Sequence, residues 1–517
     1  MQSKVMASAT EIEREEKALG NWPRRLLHVP TMTSYEWQPG NVYRTWASPT
    51  YNAITYTWGR WRLAPDESPQ VQPIDICGVP WAVPRVKTEC FTAGNLLDVL
   101  KRATRPVNIL GSHLSGLPDV EFVWLDIACI DQRGDDPRST AEVGRQFVIF
   151  KGARWVFAWL HTTSLENLNS SIDTMENLFR REVCEYARYA ANSSDIYERF
   201  FSSATLARVR DSLSTVFGDP WFTSLWTLQE AFLRQDAVMV SREGIVATLP
   251  DAVLYTTVYD ATLTSLVDNF SALVDVEMRR EGLPEPYSQC MDLIENSGVA
   301  ALSTLNPLAV YAATDRRTTI KDEDRIYGIQ QIFQLRLGTS SGPAPGTHVS
   351  RKQLEIQLGE QLLRHYPILS QSHVFTAPAH IGRGWLVNTT SIVPSDLMGQ
   401  TTNSMWTPGA NNTWCELSVR RLGDDDAWGH FAGNVCLFSA LHIACVEFER
   451  NRPPGIYGPD EENYLLVHLD ATPELSGSPE FSAHGDYEEV PQGPRVKTAR
   501  PLPVTNLCRH PIRAAAG

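Results

Sequence analysis

Ser224, Trp226 and Glu230 stand in the run Asp219-Pro220-Trp221-Phe222-Thr223-Ser224-Leu225-Trp226-Thr227-Leu228-Gln229-Glu230-Ala231 at offsets that direct them to one place. Asp219 is suited to cap a new helix and Pro220 to occupy its first position, where a missing N–H costs nothing. On that helix Trp226 and Glu230 share a face, with the carboxylate one turn beyond the indole. A carboxylate beside an aromatic wall can hold sugar hydroxyls and stabilise a cation developing next to them. The same periodicity describes an ordinary amphipathic helix, with Trp221, Phe222, Leu225, Trp226, Leu228 and Phe232 as core and Gln229 and Glu230 facing water. Periodicity alone favours this second arrangement.

A second carboxylate interrupts an apolar run. In EFVWLDIACIDQ, residues 121–132, Asp126 lies inside what predicts a strand covered on both faces. A buried carboxylate needs a partner, in structure or in a site, and structure is the better supported role. The polar loop DQRGDDPR, with Asp131, follows at the strand's carboxyl end. Upstream, YNAITYTWG (51–59) reads as a strand stopped by glycine, which puts Tyr56, Trp58, Arg60, Trp61 and Arg62 at a strand end, where α/β sheets build their sites.

The remaining elements supply the frame. Ser139 to Gly152 predicts a helix and 153–161, ARWVFAWLH, a buried strand; strand, helix, strand at this spacing implies a right-handed parallel unit. Residues 1–49 read as an N-terminal arm, solvated and partly helical over 1–20. The Pro-rich stretch 62–89 reads as a small hairpin or insertion, and AGNLLDVLKRA as a helix. Residues 164–215 predict a helical insertion and 236–244 a short strand that completes the sheet. Beyond it lie a helix-rich region (246–336), a Gly, Ser and Pro linker (337–347), a mixed α/β region (348–470) and an irregular tail (471–517). Asp324 heads a helix in KDEDRIYGI, where an acidic residue is ordinary capping.

Two local patterns are discounted. Gly338-Thr339-Ser340-Ser341-Gly342 matches GxSxG, but a strand and a helix do not flank it. His365, His373 and His380 have no metal-ligand spacing. No Walker loop, GxGxxG fingerprint or HExxH motif occurs.

The chain of 517 residues is 43% hydrophobic, ample for two or three packed domains. Its net charge of −14 argues against a nucleic-acid surface. Nine scattered cysteines without CxxC read as reduced thiols. A polar N-terminal stretch and the lack of a long apolar run predict a soluble, cytoplasmic protein without membrane or nucleic-acid partners.

Taken in order, YNAITYTWG, VWLDIACIDQ, ARWVFAWL and DPWFTSLWTLQEA resemble the fungal heterokaryon-incompatibility (HET) domain over about 50–245, with an echo at KDEDRIYGI. The family's asparagine before Gln132 is Asp131 here, its Glu-Arg and Gln are replaced around Arg138 and Glu142, a methionine is Gln146, and an arginine is Ser224. HET domains are similar to TIR domains, which carry Ser-x-Trp-x-x-x-Glu where this chain has Ser224, Trp226 and Glu230. The resemblance implies a TIR-like doubly wound parallel α/β sheet with a helical insertion, followed by a helical and β-rich C-terminal region. It also implies self-association in non-self recognition or cell-death signalling. Glu230 would then stabilise an oxocarbenium-like centre as nicotinamide leaves NAD, which enters as substrate and not as cofactor, while Ser224, Trp226, Tyr56, Trp58, Arg60, Asp126 and Asp131 contact the ligand. Two alternatives stand beside this. One is a biosynthetic enzyme acting on an apolar small molecule, with Glu142, Asp126, Asp131 and Glu230 as acid/base candidates. The other is a non-catalytic, self-associating interaction module.

Overall fold

The structure is a computed structural model and describes residues 9–105, 118–133, 136–177, 202–248, 285–303, 307–341, 349–365, 370, 373–377, 383–393, 416–423 and 426–432. Contacts divide the chain into two compact units, one of residues 1–303 with 313–349 and one of 304–312 with 350–517.

The first unit is organised on an eight-stranded sheet of order β4-β3-β2-β1-β6-β5-β7-β8. Its strands are β1 Arg25–His28, β2 Thr33–Gln38, β3 Val42–Tyr43, β4 Trp46–Ala47, β5 Tyr51–Thr55, β6 Phe122–Trp124, β7 Val156–Trp159 and β8 Val238–Val240. Strands β6, β5, β7 and β8 pair in parallel. All four are buried along their whole length, as a covered parallel sheet requires. The other half departs from the expected parallel sheet, because β1 pairs antiparallel with both β2 and β6. The fold is therefore mixed α/β. Residues read as an arm supply β1–β4, and the burial of Leu26, Leu27 and Tyr43 ties them into the same core.

Helices of this unit are α1 Ala9–Leu19, α2 Ala93–Ala103, α3 Asp126–Cys129, α4 Pro137–Val143, α5 Gln146–Gly152, α6 Leu165–Glu176, α7 Ser203–Phe217, α8 Leu225–Leu233, α9 Glu285–Ser297 and α10 Ala300–Ser303. They are followed by α11 Pro307–Ala313 and, again in the first unit, by α12 Asp324–Tyr327. The expected helix from 139 to 152 is broken at Gly144 and Arg145, so that α4 and α5 are separate. The expected insertion contributes α6 and α7; residues 178–201 lie outside the described residues. No hairpin strands form at 62–89, where only the bridges Arg62↔Val86 and Thr33↔Cys77 are made. Gly338–Ser341, read as the start of a linker, is a tight 3-10 turn whose Ser340 donates to Gln330 Oε1 at 2.9 Å.

The second unit contains α13 Arg351–His365 and two hairpins, β9 Val374–Phe375 with β10 Ser391–Ile392 and β11 Glu416–Gly423 with β12 Asp426–Ala432. Ile356, Trp385, Leu386 and Ala427 form its core cluster. Trp385 packs so closely on Gly359 and Gly429 that a side chain at either would collide with its ring. The tail at 471–517 lies outside the described residues.

Candidate active site

Chain order reverses between β5 and β7: β6 is laid down on one side of β5, and β7 then β8 on the other. The carboxyl ends of strands flanking such a reversal leave a crevice, which is where open α/β sheets bind ligands. Residues 55–61 leave β5 here, and His161 follows β7. Thr57 Oγ1 lies 3.0 Å from His161 Nε2 across the crevice. Trp61 meets the His161 ring edge-on at 5.3 Å.

Asp126 does not continue a strand as expected. Strand β6 stops at Trp124, and Asp126 opens the single turn α3, whose Ile127, Ala128 and Cys129 are buried. An apolar run of strand length here conceals a strand end and a buried helical turn. Both carboxylate oxygens of Asp126 are taken: Oδ1 accepts Tyr56 Oη and the Ile127 N–H at 2.7 Å each, and Oδ2 accepts Trp58 Nε1 at 2.6 Å. Burial pushes its pKa above the usual range, against the pull of the Trp58 and Tyr56 hydrogen bonds. The Tyr56 phenol is held neutral, raised by burial and then by Asp126.

Glu230 enters from α8. Asp219 caps a 3-10 turn, Pro220–Thr223, by accepting Trp221 N–H at 3.0 Å, with Pro220 in the first position. Its other oxygen accepts the Thr162 N–H at 2.9 Å, fastening this turn to the end of β7. Helix α8 then starts after Ser224, whose side chain makes no cap bond. Neither Gln229 nor Glu230 faces water: Gln229 is 0% exposed and Glu230 9%. Gln229 is matched by buried amides, donating to Gln146 Oε1 at 2.7 Å and accepting the Gln331 N–H at 3.1 Å. Among the described residues Glu230 has one donor, the Thr55 hydroxyl, which itself accepts Trp221 Nε1 at 2.9 Å. Its Oε2 is buried and has no hydrogen-bond partner among the described residues. Burial, and the nearby Asp126 charge, push Glu230 up to about 8.

The two carboxyls thus have different environments. Three donors, from Tyr56, Trp58 and Ile127, occupy Asp126, whereas one reaches Glu230, which burial pushes up to about 8.

Other expected site residues are placed differently. Trp226 shares the helix with Glu230, but its indole N–H is committed to the Asp324 carboxylate. Asp324 heads the helix α12 as expected, and also accepts Thr319 Oγ1 at 3.1 Å. Arg60 stacks on Trp61 with its guanidinium 4.6 Å from the ring centroid, and donates to Pro220 O at 3.0 Å. Asp131 forms an ion pair with Arg133, which donates to it through Nε at 2.9 Å. Glu142, an acid/base candidate, accepts the Arg24 N–H at 2.7 Å and pairs with Arg145 at 2.8 Å, both side chains deeply buried. That pair fastens the entry to β1, because Arg145 also donates to the carbonyls of Gly20 and Trp22.

Arg317 went unnoticed in the sequence. It is 2% exposed and donates to the carbonyls of Trp221 and Ser224 at 3.1 and 2.9 Å and to Thr227 Oγ1 at 3.2 Å, and also to the carbonyl of Ser297. Burial lowers its pKa to about 9. Adjacent backbone adds two bonds, Leu225 N–H to Thr318 O at 3.1 Å and Thr318 N–H to Thr223 O at 2.7 Å. Gly298, at φ +68°, lets the chain pass close by; a Cβ there would lie 3.4 Å from Arg317 Nε. The helix that carries Glu230 is therefore set by residues far downstream of it.

The family model described as Heterokaryon incompatibility protein (HET) matches residues 51–230, from the first residue of β5 to Glu230. The match spans about a third of the chain. No curated protein and no solved structure matches it. Among the described residues no helix is long and apolar enough to cross a membrane.

Proposed function

We propose that this HET-family chain acts in incompatibility or cell-death signalling by cleaving the nicotinamide N-glycosidic bond of NAD at the β5/β7 crevice, with Glu230 as the catalytic carboxylate. One observation carries the reading: Glu230 presents an unpartnered, buried oxygen at the switch point, beside a second, fully hydrogen-bonded carboxylate. A ribose hydroxyl or the cationic centre at C1′ would supply the missing partner. As the C1′–N bond breaks, its electron pair leaves with nicotinamide, which departs neutral, and water adds to the oxocarbenium carbon with loss of a proton. The ionised form of Glu230 stabilises that centre. A TIR-like origin of the site agrees with the order β6-β5-β7-β8, in which the second parallel strand in sequence lies outside the first.

The test is nicotinamide release by the purified full chain, at concentrations high enough for self-association, against Glu230→Ala and Glu230→Gln. Release that disappears in both variants, with unchanged circular dichroism, supports the reading; no release from the native chain at any concentration rejects it. Acid/base chemistry on an apolar small molecule is favoured by a different feature. A groove of about 450 Å³, lined in part by Val71, Ile74, Val86, Phe91, Leu96 and Ile127, lies beside the crevice, since Phe91 packs 6.0 Å from the Tyr56 ring. A rise in melting temperature with apolar ligands, lost in Phe91→Ala, would support that alternative.

A further inference from the structure

We propose that helix α1 is exchanged between two copies of this chain, the α1 of each docking on an arginine surface of the other made by Arg24, Arg138 and Arg336. The inference goes beyond the reading above and uses none of its chemistry.

Helix α1 is held to the body mainly by charge. Among its described side chains only Ile12 and Leu19 are buried, and Ile12 meets Ala141 of α4 in a small apolar contact. Ion pairs make up the rest. Glu15 accepts Arg138 Nε at 2.9 Å and Nη2 at 2.7 Å, and also Arg24 Nη1 at 2.7 Å. Glu16 pairs with Arg336. The bonds from Arg138, and then from Arg24, pull the Glu15 pKa down to about 2, so its charge is present at any working pH. Among the described residues no backbone–backbone bond joins α1 to the sheet or to another helix; its last bonds go to the turn at Gly20 and Trp22.

The contact is also incompletely satisfied. Arg24 Nε and Nη2 form the edge that a guanidinium offers to a carboxylate, and both are buried with no hydrogen-bond partner among the described residues. The same holds for Glu16 Oε1. Buried polar atoms left unpaired offset part of what the ion pairs gain, so the docked helix is held less firmly than its charges suggest.

The body begins where α1 ends. Arg145 donates to Gly20 O and Trp22 O at 2.8 Å each, and the Trp22 ring packs on Tyr43 and Tyr51 at 6.3 and 6.4 Å. Gly20, at φ +57°, and Asn21 are exposed, and no atom crowds the Gly20 Cα. Rotation at this turn moves α1 as a unit and leaves β1 in place. With α1 away, Arg24, Arg138 and Arg336 lose their acceptors. The occupant that fits them is an acidic helix with adjacent carboxylates and an aliphatic residue one turn ahead, as Glu15, Glu16 and Ile12 are arranged. Every copy carries both this helix and this surface. Two open copies therefore close on each other reciprocally, remaking the same bonds about a two-fold axis. Opening is eased by salt, which at about 1 M screens charges more than about 3 Å apart.

Charge exchange at the Glu16–Arg336 contact tests this on the full chain. Glu16→Arg sets two arginines against each other, and Arg336→Glu sets two glutamates. Either variant alone mismatches its own contact and any reciprocal dimer with itself. Mixed, the two variants match at both crossed contacts. Light scattering is expected to give the monomer mass for each variant alone. For the equimolar mixture, passed through about 1 M sodium chloride and returned to low salt, it should give about twice that mass. The double variant Glu16→Arg/Arg336→Glu restores the match within one chain and should melt with the native chain by circular dichroism. To place the contact, Ile12→Cys is added to the Glu16→Arg chain and Ala141→Cys to the Arg336→Glu chain. Mild oxidation of the mixture should then give a covalent dimer whose bridge, by peptide mapping, joins the two substituted positions. A mixture that keeps the monomer mass, single variants that dimerise as readily as the mixture, or a bridge formed elsewhere overturns the inference. Nicotinamide release is not a readout, so the exchange of α1 and the hydrolase fail separately.

Discussion

The indole N–H of Trp226 is hydrogen-bonded to the carboxylate of Asp324, which joins the site helix to a turn almost a hundred residues downstream. Trp226 lies within the matched stretch 51–230 and Asp324 outside it, so the site helix is oriented in part by a segment beyond the matched domain. Trp226→Phe keeps the apolar ring and removes the donor. Its expected cost is about 1–2 kcal/mol in urea unfolding, since Asp324 retains Thr319 and some solvent. A cost indistinguishable from zero would show that the bond does not hold the helix.

Glu230 should make the fold pH-sensitive in an unusual direction. Its folded pKa, about 8, lies above the ordinary carboxyl value near 4.3, so the folded state binds the proton more tightly than the unfolded one. The resulting penalty is absent below about pH 4, grows as pH rises toward 8, and is constant above. Glu230→Gln is therefore expected to be more stable than the native chain by a few kcal/mol at pH 9, with the difference shrinking toward pH 5. Denaturant midpoints of both proteins at the two pH values check this.

Arg317 holds three acceptors at the start of α8, two backbone carbonyls and the Thr227 hydroxyl. Arg317→Lys keeps the charge but loses the fork, and Arg317→Met leaves the carbonyls of Trp221 and Ser224 with the Thr227 hydroxyl in place of two donors. Losses of about 2–4 kcal/mol are expected for both, with faster amide exchange across 225–233. Exchange rates equal to those of the native chain would contradict the assigned role.

Glu142 and Arg145 are expected to affect stability and not turnover. Removing one partner of a buried pair costs about 3–5 kcal/mol, so Glu142→Gln should sensitise the segment around Gly20 to Trp22 to limited proteolysis. If Glu142→Gln lost nicotinamide release while its unfolding midpoint stayed put, Glu142 would belong to the site.

Much of the parallel half was legible because burial on both faces writes long apolar runs, as in YNAIT and VFAW. The same signal misled at Asp126, where apolar residues on both sides of a strand end look like one strand. Strands β1–β4 were missed because they are short and antiparallel, and RLLH and TSYEWQ lie beside charged residues. Glu230 was found by its spacing from Trp226, but that spacing favoured exposure. What buries it, Thr55 and the turn of Asp126, is brought near only by strand pairing. Arg317 gave no local sign, since its partners are backbone carbonyls that any sequence has.

The two backbone bonds between Thr318 and residues 223–225 join the site helix to the chain after 285, and Arg317 ties the same corner to Ser297. Cutting the gene at the end of the matched stretch would therefore not yield a transplantable module. It would strip the α8 corner of Arg317 and of the Thr318 backbone and leave Trp226 without Asp324. A piece that keeps these contacts has to run past Arg317, Thr318 and Asp324, and the compact unit that holds them reaches residue 349.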